Sequence, residues 1–126
     1  MTWNRSSAGR QADTGGRAAE ALVAAFLESG GWTMLGARVR TKAGEIDLVA
    51  TKDGLLLLGE VKSNFSHEKA GFALGARQRR RLIEAAVWLL AEHPEWGNAG
   101  VRFDVFLVDR AGAIDWIEDA IREDEG

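Results

Sequence analysis

The sequence predicts an α/β fold, a mixed β-sheet with helices packed on it in the order α-β-β-β-α-β. Three observations carry that reading. Leu22, Val23, Phe26 and Leu27 recur at helical spacings of three and four. Asp53–Gly54 sits between two runs of strand-like residues, the strongest short signal for a two-residue hairpin. The stretch "ARQRRRLIEAAVWLLAE" reads as a second long helix and is followed by the alternating run "VRFDVFLVD".

The elements follow in order. Residues 1–13 are polar, with serine and glycine, and are expected to form a flexible arm. The first helix spans 14–29 and ends at "SGG", because glycine enters the left-handed region at low cost. A strand over 33–40, the turn "TKAG" and a strand over 45–51 come next. The third strand covers 55–62, and a loop of small and polar residues fills 63–75. The second helix covers 76–92 with Leu82, Ala86, Val87, Leu89 and Leu90 as its apolar stripe, and Pro94 lies just past its end. A strand over 101–109 and a short strand or helix over 114–121 complete a single domain, 14–121, with an acidic tail at 122–126.

A chain of 126 residues with 46% hydrophobic residues suits one core. With no cysteine, disulfides and thiolate metal sites are excluded. The N-terminal stretch lacks the apolar segment of a signal peptide, and no apolar run is long enough to span a bilayer, so a cytoplasmic protein without membrane contact is expected. The net charge of −3 is unevenly spread. Residues 1–82 hold 13 Lys/Arg against 8 Asp/Glu, and residues 83–126 hold 3 against 11. Such asymmetry marks a face for an anionic partner, although an acidic tail that aids solubility would account for the negative half.

The hairpin carries the chemistry. A two-residue turn at Asp53–Gly54 places Lys52 opposite Leu55, Asp47 opposite Glu60 and Glu45 opposite Lys62. With period-two alternation all four charges share one face. Directly opposed carboxylates repel, or one keeps a proton, unless a cation lies between them. Oxygen ligands suit Mg²⁺, which keeps water and phosphate oxygens as further ligands. A lysine beside them can orient water and offset charge on a phosphate, so the hairpin has the parts for metal-assisted phosphodiester hydrolysis. The other reading is a solvent-facing hairpin with a Glu45–Lys62 cross-strand ion pair. Glu20 lies on the edge of the large-residue face of the first helix, where it either leans toward the sheet or stays a surface charge.

Helix-borne Glu20, then Asp47, then "EVK" at 60–62 resembles the PD-(D/E)xK nuclease superfamily and, within it, the Holliday-junction-resolvase type. "GEIDLVA", "GEVKS", "RRRLIEAAVWLL" and "VRFDVFLV" look more closely like the UPF0102, or YraN-like, family over residues 16–121. The resemblance implies a restriction-endonuclease-like three-layer core. It also implies Mg²⁺ (or Mn²⁺) held by Asp47, Glu60 and the backbone carbonyl of Val61, with Lys62 as catalytic lysine and Glu20 as the helix glutamate. It implies a metal-dependent endonuclease-like protein acting on DNA, branched or structured DNA included; the alternative is a non-catalytic nucleic-acid-binding module that keeps the fold. Resolvase-like proteins are often dimers, which leaves a homodimer open. Three features depart from the family pattern: Ala19 where a glycine is usual, Gln78 where a lysine commonly stands, and a shorter 63–75 loop.

Arg77, Arg79, Arg80 and Arg81 crowd the start of the second helix, against the positive end of its dipole. Either a solvated basic turn or a nucleic-acid backbone explains them, and arginine forks suit phosphate. Arg38, Arg40 and Lys42 extend this expected patch. His67 and His93 have no partner at ligand spacing. Trp32, Trp88 and Trp96 are expected to pack, Trp3 has no assignment, and Trp116 is placed at the sheet edge or a dimer contact. Asp104 is read as structural, paired with an arginine.

Overall fold

The computed structural model describes residues 10–63 and 73–121. Two helices, α1 (Arg10–Ser29) and α2 (Ala76–Glu92), cover a sheet of five strands. The strands are β1 (Thr33–Thr41), β2 (Gly44–Lys52), β3 (Leu55–Ser63), β4 (Gly100–Val108) and β5 (Ile114–Ile117), in spatial order β1-β2-β3-β4-β5. All neighbours are antiparallel except β3 and β4, which run parallel on either side of the α2 crossover. The expected α/β class therefore holds, and the element over 114–121 resolves as a short edge strand.

The sheet is covered on both faces, giving three layers. One core packs Val23 and Leu27 of α1 against Leu57 and Phe106; the other packs Leu82, Ala85 and Leu89 of α2 against Leu56, Leu58 and Val105. Each of the fully buried valine, leucine and phenylalanine side chains among these contributes about 1.5–3 kcal/mol by leaving water. The stripe on α1 is Ala19, Val23 and Leu27, spaced by four. Leu22 and Phe26, expected inside, are 46% and 41% exposed. The helix turns the Ala19–Val23–Leu27 stripe to the sheet instead, and Phe26 meets the edge-strand Trp116 edge-on at 5.6 Å. On α2, Val87 is likewise exposed and Ala85 takes its place in the core. The helix α1 starts at Arg10, inside the expected arm, since Arg, Gln and Ala are good helix formers.

Asp53 and Gly54 both take positive φ, 52° and 82°, as a type I′ turn demands. The turn sets the expected register, from Lys52↔Leu55 to Leu48↔Gly59. There the β2–β3 ladder stops. Beyond it β2 stays paired with β1 as far as Thr41↔Gly44, and β3 stays paired with β4 as far as Ser63↔Val108. The sheet forks between its second and third strands.

The cause lies in β1 and β2. Ala37 and its partner Leu48 face α1, whereas Val39 and its partner Ile46 face α2. Residues two apart on a regular strand share a face. Both strands therefore rotate across Arg38 and Asp47, and Arg38 takes φ 51°. This is a costly conformation for a long side chain. The expectation that Glu45, Asp47, Glu60 and Lys62 share one face fails here, because alternation breaks at Asp47.

Candidate functional site

The fork holds the carboxylates. With no partner on β2, the Val61 N–H donates instead to Asp47 Oδ2 at 2.8 Å, in the gap between β2 and β3. A strand residue turns its N–H and C=O the same way, so the Val61 carbonyl points into the same gap.

Glu60 is 4% exposed and faces α2. Its Oε2 accepts from Gln78 Nε2 at 2.6 Å and from Arg81 Nη2 at 3.1 Å. Lys62 Nζ lies 4.0 Å from the same oxygen. The other oxygen, Oε1, is buried with no partner among the described residues. Burial pushes the Glu60 carboxyl up to about 7, and the charge of Asp47 pushes the same way, against Arg81, Lys62 and the Gln78 bond. Asp47 and Glu60 thus repel each other as the sequence requires, through a fork rather than across a ladder. The anion also sits by the N-terminal turn of α2, which has no acidic residue or side-chain cap of its own.

Lys62 pairs with Glu60 on its own strand, and Glu45 Oε2 lies 4.0 Å from Arg40 Nε, so the cross-strand Glu45–Lys62 pair is not what explains these charges. Glu20 leans to the sheet. It is 8% exposed, and its Oε1 accepts from Arg38 Nε at 2.7 Å. Arg38, expected on the basic patch, is 4% exposed and committed to this buried pair; a surface phosphate contact is closed to it. The pair lines a groove of about 440 Å³ between α1 and β1, on the face of the sheet away from Glu60.

The arginine cluster divides. Arg81 joins Glu60, and its stem covers Gly44, where a Cβ would meet Arg81 Cδ at 2.8 Å. Gly44 also has φ 135°, so the glycine of "GEID" serves both the turn and the arginine. Arg79 donates to the Leu74 carbonyl at 2.6 Å. Arg77 and Arg80 remain exposed, as do Arg40 and Lys42 across the Gly44 turn. Gln78, which stands where the family pattern commonly has a lysine, is the residue that sequence reasoning did not place beside Glu60. The signal was its spacing of three from Arg81, which puts both on one helix face.

Other positions are structural. Asp104 is 1% exposed and accepts from Arg102, the Trp116 indole and the Asp119 backbone, which ties the β5 region to β4. His93 caps α2 through its N–H to the Leu89 carbonyl and stacks on Trp96 at 3.8 Å. Trp32 is buried; Trp88 and Trp96 pack against the α2-side core. His67, Trp3 and the acidic tail lie outside the described residues.

Among the described residues no three Asp, Glu, His or Cys side chains gather for a metal. Two carboxylates and a backbone carbonyl are nonetheless what Mg²⁺ or Mn²⁺ uses when water and phosphate supply the rest. The unpartnered Glu60 Oε1 fits such a cation. No helix among the described residues is long and apolar enough to cross a membrane.

Comparison with known proteins agrees with the motifs. The model of "Uncharacterised protein family UPF0102" matches residues 19–108, which contain Glu20, Asp47, Glu60, Lys62 and the arginine cluster. A UPF0102 protein of Granulibacter bethesdensis is 53% identical over 117 residues, covering 93% of this chain and 74% of that protein. One from Acidiphilium cryptum is 41% identical, over 96% of this chain and 94% of the relative. Another from Roseobacter denitrificans is 40% identical, over 94% and 92%. With the family model spanning most of the chain and relatives matching it nearly end to end, this protein belongs to the UPF0102 family.

Proposed function

We propose that the protein is a divalent-metal-dependent endonuclease acting on DNA, branched or structured DNA included. The observation that carries this reading is the sheet fork. It sets Asp47 on the Val61 backbone, next in the chain to Glu60, whose buried Oε1 has no partner among the described residues. Asp47, Glu60 and Val61 would hold Mg²⁺ or Mn²⁺. The bound ion supplies an acidified water and charge neutralisation at a phosphodiester. Lys62, beside Glu60, would orient the attacking water and offset charge on the phosphate. Glu20, fixed by Arg38, borders the same strands and would support the site from the α1 side.

Arg77, Arg80, Arg40 and Lys42 would contact the nucleic-acid backbone. All four are exposed, and the contact of Arg81 with Gly44 brings the β1–β2 turn against α2. Arg77 and Arg80 lie in the first turns of α2, where a solvated cation gains nothing from the helix dipole and a phosphate does.

The second reading, a non-catalytic nucleic-acid-binding module, is favoured by one observation: Gln78, Arg81 and Lys62 already surround one oxygen of Glu60. Calorimetric titration with Mn²⁺ separates the two, followed by incubation with linear duplex and four-way-junction DNA. The nuclease reading expects stoichiometric binding and cleavage, both lost in Asp47→Ala while the thermal transition is retained. Cleavage that survives in Asp47→Ala would sink it, and metal-independent DNA binding without cleavage would establish the module.

A further inference from the structure

Two buried polar side-chain atoms have no hydrogen-bond partner among the described residues, Glu60 Oε1 and Arg81 Nε. They belong to residues already joined through Arg81 Nη2 and Glu60 Oε2 at 3.1 Å. An arginine and a carboxylate normally close a two-bond fork that would use all four atoms. Here the fork is half closed. One acceptor is left over on the carboxylate and one donor on the guanidinium.

The leftovers call for opposite partners, a cation at Oε1 and an anion at Nε. The surroundings differ in the same sense. The Glu60 side chain is 5% exposed, fixed by Gln78 and near enough to Asp47 to feel its charge, whereas the Arg81 side chain is 37% exposed. The Arg81 stem lies over Gly44, which has no Cβ to block it. Arg77, four residues earlier on the same helix face, is exposed and carries the basic track toward it.

We infer that Arg81 is an exchangeable counter-ion of Glu60. It holds the carboxylate while no metal is bound, and it moves to a phosphate oxygen of the nucleic acid when a divalent cation takes that carboxylate. Arg81 is thus a positioning residue toward the metal and a contact residue toward the substrate. The inference rests on the proposed function for its cation and its phosphate. A purely structural ion pair predicts the opposite sign in the decisive experiment, since removing its arginine would only loosen Glu60 and weaken the site.

The test is Mn²⁺ calorimetry on the wild type, Arg81→Met, Arg81→Lys and Gln78→Lys, with urea denaturation of each. Arg81→Met keeps the stem over Gly44 and should bind Mn²⁺ about tenfold more tightly, a modest effect for one charge removed a few ångströms from a divalent ion. Arg81→Lys should stay near the wild type. Gln78→Lys adds a cation at Glu60 and should weaken Mn²⁺ binding about tenfold; it gives the sign independently should Arg81→Met fail to fold. In Ca²⁺, Arg81→Met should bind a short DNA duplex more weakly, with its log–log salt slope smaller by about 1. Unchanged or weaker Mn²⁺ binding in folded Arg81→Met overturns the inference, as does an unchanged salt slope. If the wild type itself takes no Mn²⁺, the proposed function falls and this inference with it.

Discussion

Replacing Glu60 by its neutral isostere should stabilise the metal-free protein at alkaline pH. The Glu60 carboxyl is raised from 4.5 to about 7, first by burial and then by Asp47. Between those values the folded protein holds a proton that the unfolded chain releases, so stability falls as pH rises through this window. The gap corresponds to about 3 kcal/mol at most, at 1.36 kcal/mol per unit. For a chain of 126 residues that is on the order of 10 °C in Tm. Glu60→Gln keeps an oxygen for Gln78 and Arg81 and removes the titration. The assay is urea denaturation followed by tryptophan fluorescence from pH 5 to 8.5, without divalent ions and then with excess Mn²⁺. Near pH 5 the two proteins should differ little, and above pH 7.5 Glu60→Gln should be the more stable. Mn²⁺ should restore the wild type at high pH by mass action and leave the variant unmoved. Parallel pH curves for the two proteins, or a wild type more stable at pH 8 without metal, would refute the argument that Glu60 is a buried, electrostatically opposed carboxylate.

Three further outcomes follow from the same geometry. Arg38→Ala removes the guanidinium from the buried Glu20 pair and should cost about 3–5 kcal/mol in urea, less whatever relief comes from its positive φ. Gly44→Ala should displace the Arg81 stem, lowering stability by about 1–3 kcal/mol from backbone strain and shifting Mn²⁺ affinity, both read by the assays above. Asp104→Asn leaves four bonds short of a carboxylate acceptor and should lose about 2–4 kcal/mol, with a change in near-ultraviolet circular dichroism from Trp116.

Much of this architecture is legible in the amino-acid order because local rules govern it. Asp53–Gly54 dictates a type I′ turn, and that turn sets the register of the strands beside it. The limits of α2 follow from its apolar period and from the proline beyond it. What escaped sequence reasoning depends on contacts between distant segments. No local rule places an arginine at positive φ, so the rotation of β1 and β2 at Arg38 and Asp47 could not be foreseen. The same rotation consumes Arg38 in an ion pair with Glu20, 18 residues away, and removes it from the expected patch. Gln78 reaches Glu60 only after the α2 crossover folds back on the sheet. Leu22 and Phe26 misled for a different reason: each stands one residue before Val23 or Leu27, so the same spacing of four fits both pairs and residue size does not say which pair docks.

The Asp53–Gly54 turn acts as a ruler. It lies about six strand residues from Asp47, roughly 20 Å at 3.3 Å per residue, too far to touch anything bound at the fork. Yet it alone decides which residue of β3 arrives abreast of Asp47, because the ladder it starts is counted off pair by pair until Leu48 meets Gly59. One residue added to that turn would bring Val61 or Gly59 to the measuring mark in place of Glu60 and turn the wrong face of the strand to α2. The tip of this hairpin is thus under the same constraint as the fork itself, by arithmetic rather than by contact.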